Sequence, residues 1–328
     1  MFLPAASPSP ASPTPSPLWL LIRVNTLTLW RRLKAVGDQS RLLTSIILLF
    51  ITGYLVVAYW LFVFGLQFLA RFPGLGTVLT ERLMFLLFAF LFVLLLISNL
   101  IISYTNLFRN RETAFLLTLP VSTDNIFRWK FIESAVLASW AFVFLIAPLL
   151  AAYGLTRGVA WHFYPATVLL VGLFIILPAA AGSFCAVSLA RHLDRRLFQV
   201  VAVLTTMALL AAAAVWFTPE TVPADSSETR VLAVLDKLLS RTKFAEFGLL
   251  PSCWLSRSVV QWADGAVVAA CFFLLVLLSH VAFFGFLVCT CMGGAFYDAA
   301  SVVQSRGSVF ARWKWFHLRQ QRRLEAVF

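Results

Sequence analysis

The sequence predicts an all-α polytopic membrane protein with six transmembrane helices, both termini cytoplasmic, and amphipathic helices lying in the membrane interface. Three observations predict it. Hydrophobic residues fill 61% of the 328 positions and charged residues 12%, with a mean hydropathy of +0.90, whereas a soluble domain carries about twice that charged fraction. Six apolar runs are each long enough to cross a hydrocarbon layer of about 30 Å at about 1.5 Å per helical residue. With both termini inside, the inner segments hold 18 Lys and Arg against 8 outside, while the acids divide 7 and 7. That bias keeps basic loops on the cytoplasmic side.

Three stretches follow from composition: a tail (1–17), a six-span membrane domain (18–310) and a basic cytoplasmic tail (311–328). The first is proline, serine and alanine without charge, so it forms no core, and without a basic start it is no signal peptide. We expect it to be disordered. Residues 18–40 set Leu18, Trp19, Leu21, Ile22, Leu29, Trp30 and Leu33 among Arg23, Arg31, Arg32 and Lys34. This pattern suits an interfacial helix, or simply a frayed basic flank.

Span one is expected over 42–70, followed by a tight outer turn at 71–82 with Pro73, Gly74 and Gly76. Span two, 83–107, contains Asn99, placed to bond across to a neighbour. Span three, 131–155, contains Pro148, and span four, 163–190, contains Gly172, Pro178 and Gly182. A proline there implies a kink packed against another helix. The basic turn 191–196 leads to span five, 197–217. The long polar excursion 218–264 has a helical apolar face (Val231, Leu232, Leu235, Leu238, Leu239) and places Pro251, Trp254 and Trp262 near the surface. Span six, 265–292, carries His280, which reads as a functional group or, more simply, as a neutral histidine bonded to a neighbouring helix. Beyond Gly293 and Gly294 a basic, aromatic tail suits a membrane surface and its anionic lipids rather than nucleic acid.

Residues 104–133 join spans two and three. Arg109, Arg111 and Glu112 precede the apolar group Phe115, Leu116, Leu117 and Leu119, and Pro120 then breaks the helix. Ser122 or Thr123 can cap a second helix, with Asp124 favoured at its positive end. On physics alone the commoner reading is an ordinary polar loop. The alternative is an elbow that passes a push from a soluble partner into the spans it joins.

Glu112, the run LLTLPVS, then Ile126 and Lys130 at the mouth of a span resemble the first cytoplasmic loop of ABC exporter permeases of the type-2 superfamily. The six-span layout extends the resemblance to about residues 18–310, and the outer helices before span six are similar too. The resemblance implies the membrane-spanning permease subunit of an exporter in a bacterial inner membrane, paired with a second six-span half. A cytoplasmic ABC ATPase would dock on the elbow, with Arg109, Arg111, Glu112, Leu116, Leu117, Leu119 and Pro120 as the coupling residues. A non-transporting membrane scaffold or assembly factor is the alternative.

Other chemistries lack their residues. The sequence contains no GxxxxGK[ST] phosphate loop, no HExxH and no CxxC pair, so no ATPase, cofactor or metal site is expected. Its five cysteines form no framework, and Cys253 reads as a lone thiol in an outer loop. No acid lies deep in a span, with Glu133 at a span edge, which disfavours ion coupling. No residue is assigned to a substrate.

Overall fold

A computed structural model describes residues 19–20, 22–28, 31, 41–72, 74–192, 204, 207–208, 211 and 242–305. Every regular element among them is helical: α1 (Arg41–Ala70), α2 (Gly76–Tyr104), α3 (Arg111–Leu116), α4 (Thr123–Arg157), α5 (Phe163–His192), α6 (Pro251–Ala263) and α7 (Val267–Ser305). Five segments are long and apolar enough to cross a membrane: Leu42–Ala70, Gly76–Arg109, Thr123–Arg157, Phe163–His192 and Val267–Val303. This is an integral membrane protein. The expected tails at 1–17 and 311–328 lie outside the described residues, as do 218–241 and, apart from four positions, the expected fifth span at 197–217.

Helix α5 is central, packing against α2, α4, α6 and α7, while α1 lies at the margin against α2 and α4. The apolar core falls into two main parts. A larger one joins Phe88, Tyr153, Phe163, Phe174, Leu255 and Val281, and a second, at the elbow end, joins Leu116, Ile126, Phe127, Val187, Met292 and Phe296. Because lipid is as apolar as leucine, close backbone approach and buried polar contacts hold such a bundle. Gly182 of α5 shows the first: a Cβ there would lie 2.7 Å from Asn99 Cβ and 2.9 Å from the Leu100 amide nitrogen. One turn away the Ser103 and Ser183 hydroxyls meet at 2.9 Å.

Several expectations need correction. Asn99 is fully buried, but its amide donates to the Leu95 carbonyl of its own helix at 2.8 Å rather than across to a neighbour. His280 likewise bonds its own helix, through the Val276 carbonyl at 2.8 Å, and meets the neighbouring helix only by packing, its ring 4.3 Å from Trp254. Cys253 is not in a loop: it is buried in α6, where burial pushes its thiol pKa up. Helix α6 packs into the bundle, with Ser252, Leu255, Ser256, Ser258 and Val259 fully buried. Trp262 donates to His162 Nδ1 at 2.9 Å, tying α6 to the α4–α5 turn. Finally, α7 does not stop near Met292 but runs to Ser305, and Gly293 within it provides the gap into which Asp124 fits.

The crossing at Gly182 yields a direct test. Gly182→Val is expected to force α2 and α5 apart, costing at least the about 1–3 kcal/mol of an overpacked core. Thermal unfolding in detergent should show a lower midpoint, whereas Gly172→Ala, with open space around it, should leave the midpoint unchanged.

Candidate functional site

The elbow is built from a loosening and re-forming of helix. After Tyr104, α2 continues as one wide turn, Thr105–Arg109, with π-type bonding. Asn110 then adopts an extended backbone (φ −80°, ψ 127°), and its side-chain oxygen accepts from the Glu112 N–H at 3.0 Å, capping α3. Glu112 in the first turn suits the positive end of that short helix. The chain leaves α3 through a turn in which the Thr118 hydroxyl donates to the Phe115 carbonyl. Ser122 starts α4 by position, but its side chain makes no capping bond.

Behind α3 lies Lys130, its side chain wholly inaccessible to solvent. Its ammonium donates to Glu112 Oε2 at 2.8 Å and to Glu133 Oε2 at 2.7 Å. Asn106 extends the network: its amide donates to Glu133 at 3.2 Å and to Ser134 at 3.1 Å, and its side-chain oxygen accepts from Asn110 at 2.9 Å. The Thr113 hydroxyl donates to the Asn106 carbonyl at 2.7 Å. An unpaired charge here would be costly, so each carboxylate is structural before it is anything else. The two acids differ: the Glu133 side chain is 23% exposed and the Glu112 side chain 46%.

The same helix grips the last one. Arg128 Nε donates to the Cys289 carbonyl of α7 at 2.8 Å, Asp124 sits against Gly293, and the Phe296 ring packs with its centroid 5.9 Å from each of Phe108 and Phe127. Movement of α3 therefore has a route into both α4 and α7.

The structure divides the seven residues singled out from the sequence. Leu116 is buried and Leu117 half-buried in the elbow-end core, so both anchor α3. Arg109, Arg111, Leu119 and Pro120 lie at the surface, and Pro120 follows α3 rather than ending it. Glu112 is exposed yet turned toward Lys130. The sequence reading placed Phe115 in the apolar group but not among the coupling residues, although it is 62% exposed on α3, and it missed the Lys130–Glu133–Asn106 network. A Lys and Glu three apart at a span mouth were the available signal. Glu133 lies 10 positions inside α4, whose hydrogen-bonded helix begins before the expected span. Among the described residues no group of three or more metal-ligating side chains occurs.

Fold and elbow together define a polytopic helical membrane protein with a folded, ion-paired elbow at one end of its bundle. The chain belongs to the family described as "Putative ATP-binding cassette", which matches residues 39–328. No curated protein and no solved structure matches it. The family corrects the resemblance drawn from the elbow: its description is of the nucleotide-binding cassette class, not of exporter permeases, and the permease identification and the export function it implied are set aside. A link to ABC systems stands.

The two carboxylates should separate in stability. Glu133→Gln is expected to cost about 3 kcal/mol, as for breaking a buried pair, and Glu112→Gln about 1 kcal/mol, nearer an exposed pair. Denaturant unfolding in micelles measures both, and a larger loss for Glu112→Gln would contradict the assignment of Glu133 as the principal partner.

Proposed function

We propose that this chain is the membrane-embedded docking member of an ATP-binding cassette assembly, holding a separate nucleotide-hydrolysing subunit at its elbow. The observation that carries this is the elbow's construction: a short capped helix presents Phe115, Arg111 and Leu119 outward while Leu116 and the Glu112–Lys130 pair fasten it to α4. An exposed aromatic rimmed by charge suits a protein contact. The family supports a cassette context. The charge asymmetry of the loops supports a cytoplasmic elbow.

Hydrolysis falls to the partner on this reading. The sequence contains no GxxxxGK[ST], and among the described residues no strand occurs from which such a loop could spring. The basic flanks would meet anionic lipid.

Two measurements test the proposal. The purified chain should show no magnesium-dependent ATP turnover above background. A photo-crosslinking residue at Phe115 should capture a polypeptide that binds ATP, and Phe115→Asp at that surface should reduce co-purification of that polypeptide at least tenfold without lowering membrane insertion. Turnover by the isolated chain, or co-purification that survives Phe115→Asp, would overturn it.

A further inference from the structure

The end of the bundle opposite the elbow holds a cavity of ≈ 290 Å³, between the turn 71–75, the start of α2 and the last turn of α4. Three features of it point to one ligand chemistry. The first is the N-terminus of α2, a 29-residue helix whose first turn carries neither a capping side chain nor an acid. Its positive end therefore faces the cavity without a counter-charge of its own. Gly76 allows this placement, since a Cβ there would lie 2.7 Å from the Leu69 carbonyl oxygen. The Leu75 and Gly76 N–H groups are already taken by the Phe72 carbonyl, so a ligand would meet the field of the helix end rather than these two donors.

The second feature is Tyr153. It is fully buried and lines the cavity, and its hydroxyl proton has no acceptor, because the neighbouring Arg157 guanidinium can only donate to the oxygen. Such a donor left unmade costs about 1–3 kcal/mol, a cost that an acceptor in the cavity would remove. The third is Arg157, which also lines the cavity. Its nearest acid, Asp264, stands at 3.9 Å, beyond hydrogen-bond reach. Asp264 and Glu81 both act on Tyr153 electrostatically, while Arg82 is engaged by Glu246.

We propose that this cavity binds a phosphate group, whose oxygens sit at the α2 N-terminus and accept from the Tyr153 O–H and the Arg157 N–H groups. Two sources share that chemistry: an anionic phospholipid head group and free phosphate. Leu66, Ala70 and Phe72 form an apolar side to the cavity, and Trp161, 80% exposed at this end, fits the level of the head groups. Both favour the lipid.

The test uses the full chain in detergent, followed by thermal unfolding during titration with dihexanoyl phosphatidylglycerol, inorganic phosphate, or an alkyl glucoside without phosphate. Binding to the folded state raises the midpoint saturably. Phosphatidylglycerol should do so and the glucoside should not. Tyr153→Phe should raise the half-saturating concentration at least threefold and Arg157→Gln at least tenfold. Tyr153→Phe removes only a hydroxyl whose proton has no acceptor, so it stays informative even if Arg157→Gln does not fold. A rise with inorganic phosphate at equal half-saturation assigns the site to free phosphate and still supports it. No saturable rise with either phosphate compound, or a rise that both variants leave unchanged, overturns the proposal.

Discussion

An ammonium group shut away from water must be met by negative charge, and the elbow end of this protein is arranged around that requirement. Lys130 needs Glu112 and Glu133, and the two arrive from different places: Glu133 from one turn along α4, Glu112 from across the corner on α3. Once both are present, the six-residue α3 is fixed to a long membrane helix by charge rather than by its own helical stability, which at that length is negligible. Asn106 then draws in the end of α2. One buried cation therefore ties together three segments that lipid alone would not hold together.

The two carboxylates confer different properties. Glu133 lies farther inside the bundle and keeps Lys130 paired whatever α3 does, whereas Glu112 sits half in solvent, where an interaction is weakened by screening and is easier to release. The joint is thus firm at its base and yielding at its outer edge. Helix α2 runs from this joint to the cavity at the opposite end, a distance of about 44 Å for its 29 residues. Its N-terminal turn and its C-terminal network belong to one rigid element, so the two ends of the bundle share a mechanical member.

The elbow also shows how far a short motif carries. Glu112 and LLTLPVS describe a local corner well: the short helix, the proline-containing turn and the new helix are all present. They do not by themselves fix what the whole chain does, because similar corners serve unrelated proteins. A match over residues 39–328 weighs more, and it moved the assignment from the permeases to the cassette family.

Composition and periodicity determined that the chain is helical and membrane-embedded, and they placed the described spans closely, since about 20 apolar residues in lipid have few ways to satisfy their backbone except as helix. Helix ends were less legible: α4 begins 8 residues before the expected span and α7 continues 13 beyond it, because hydropathy reports where lipid ends rather than where hydrogen bonding ends. The pairing of Lys130 with Glu112, 18 positions away, the fit of Asp124 against Gly293 and the Tyr153 hydroxyl without an acceptor could come only from the tertiary structure. Each depends on which side chains two crossing helices bring within a few ångströms, and a one-dimensional pattern does not contain that distance.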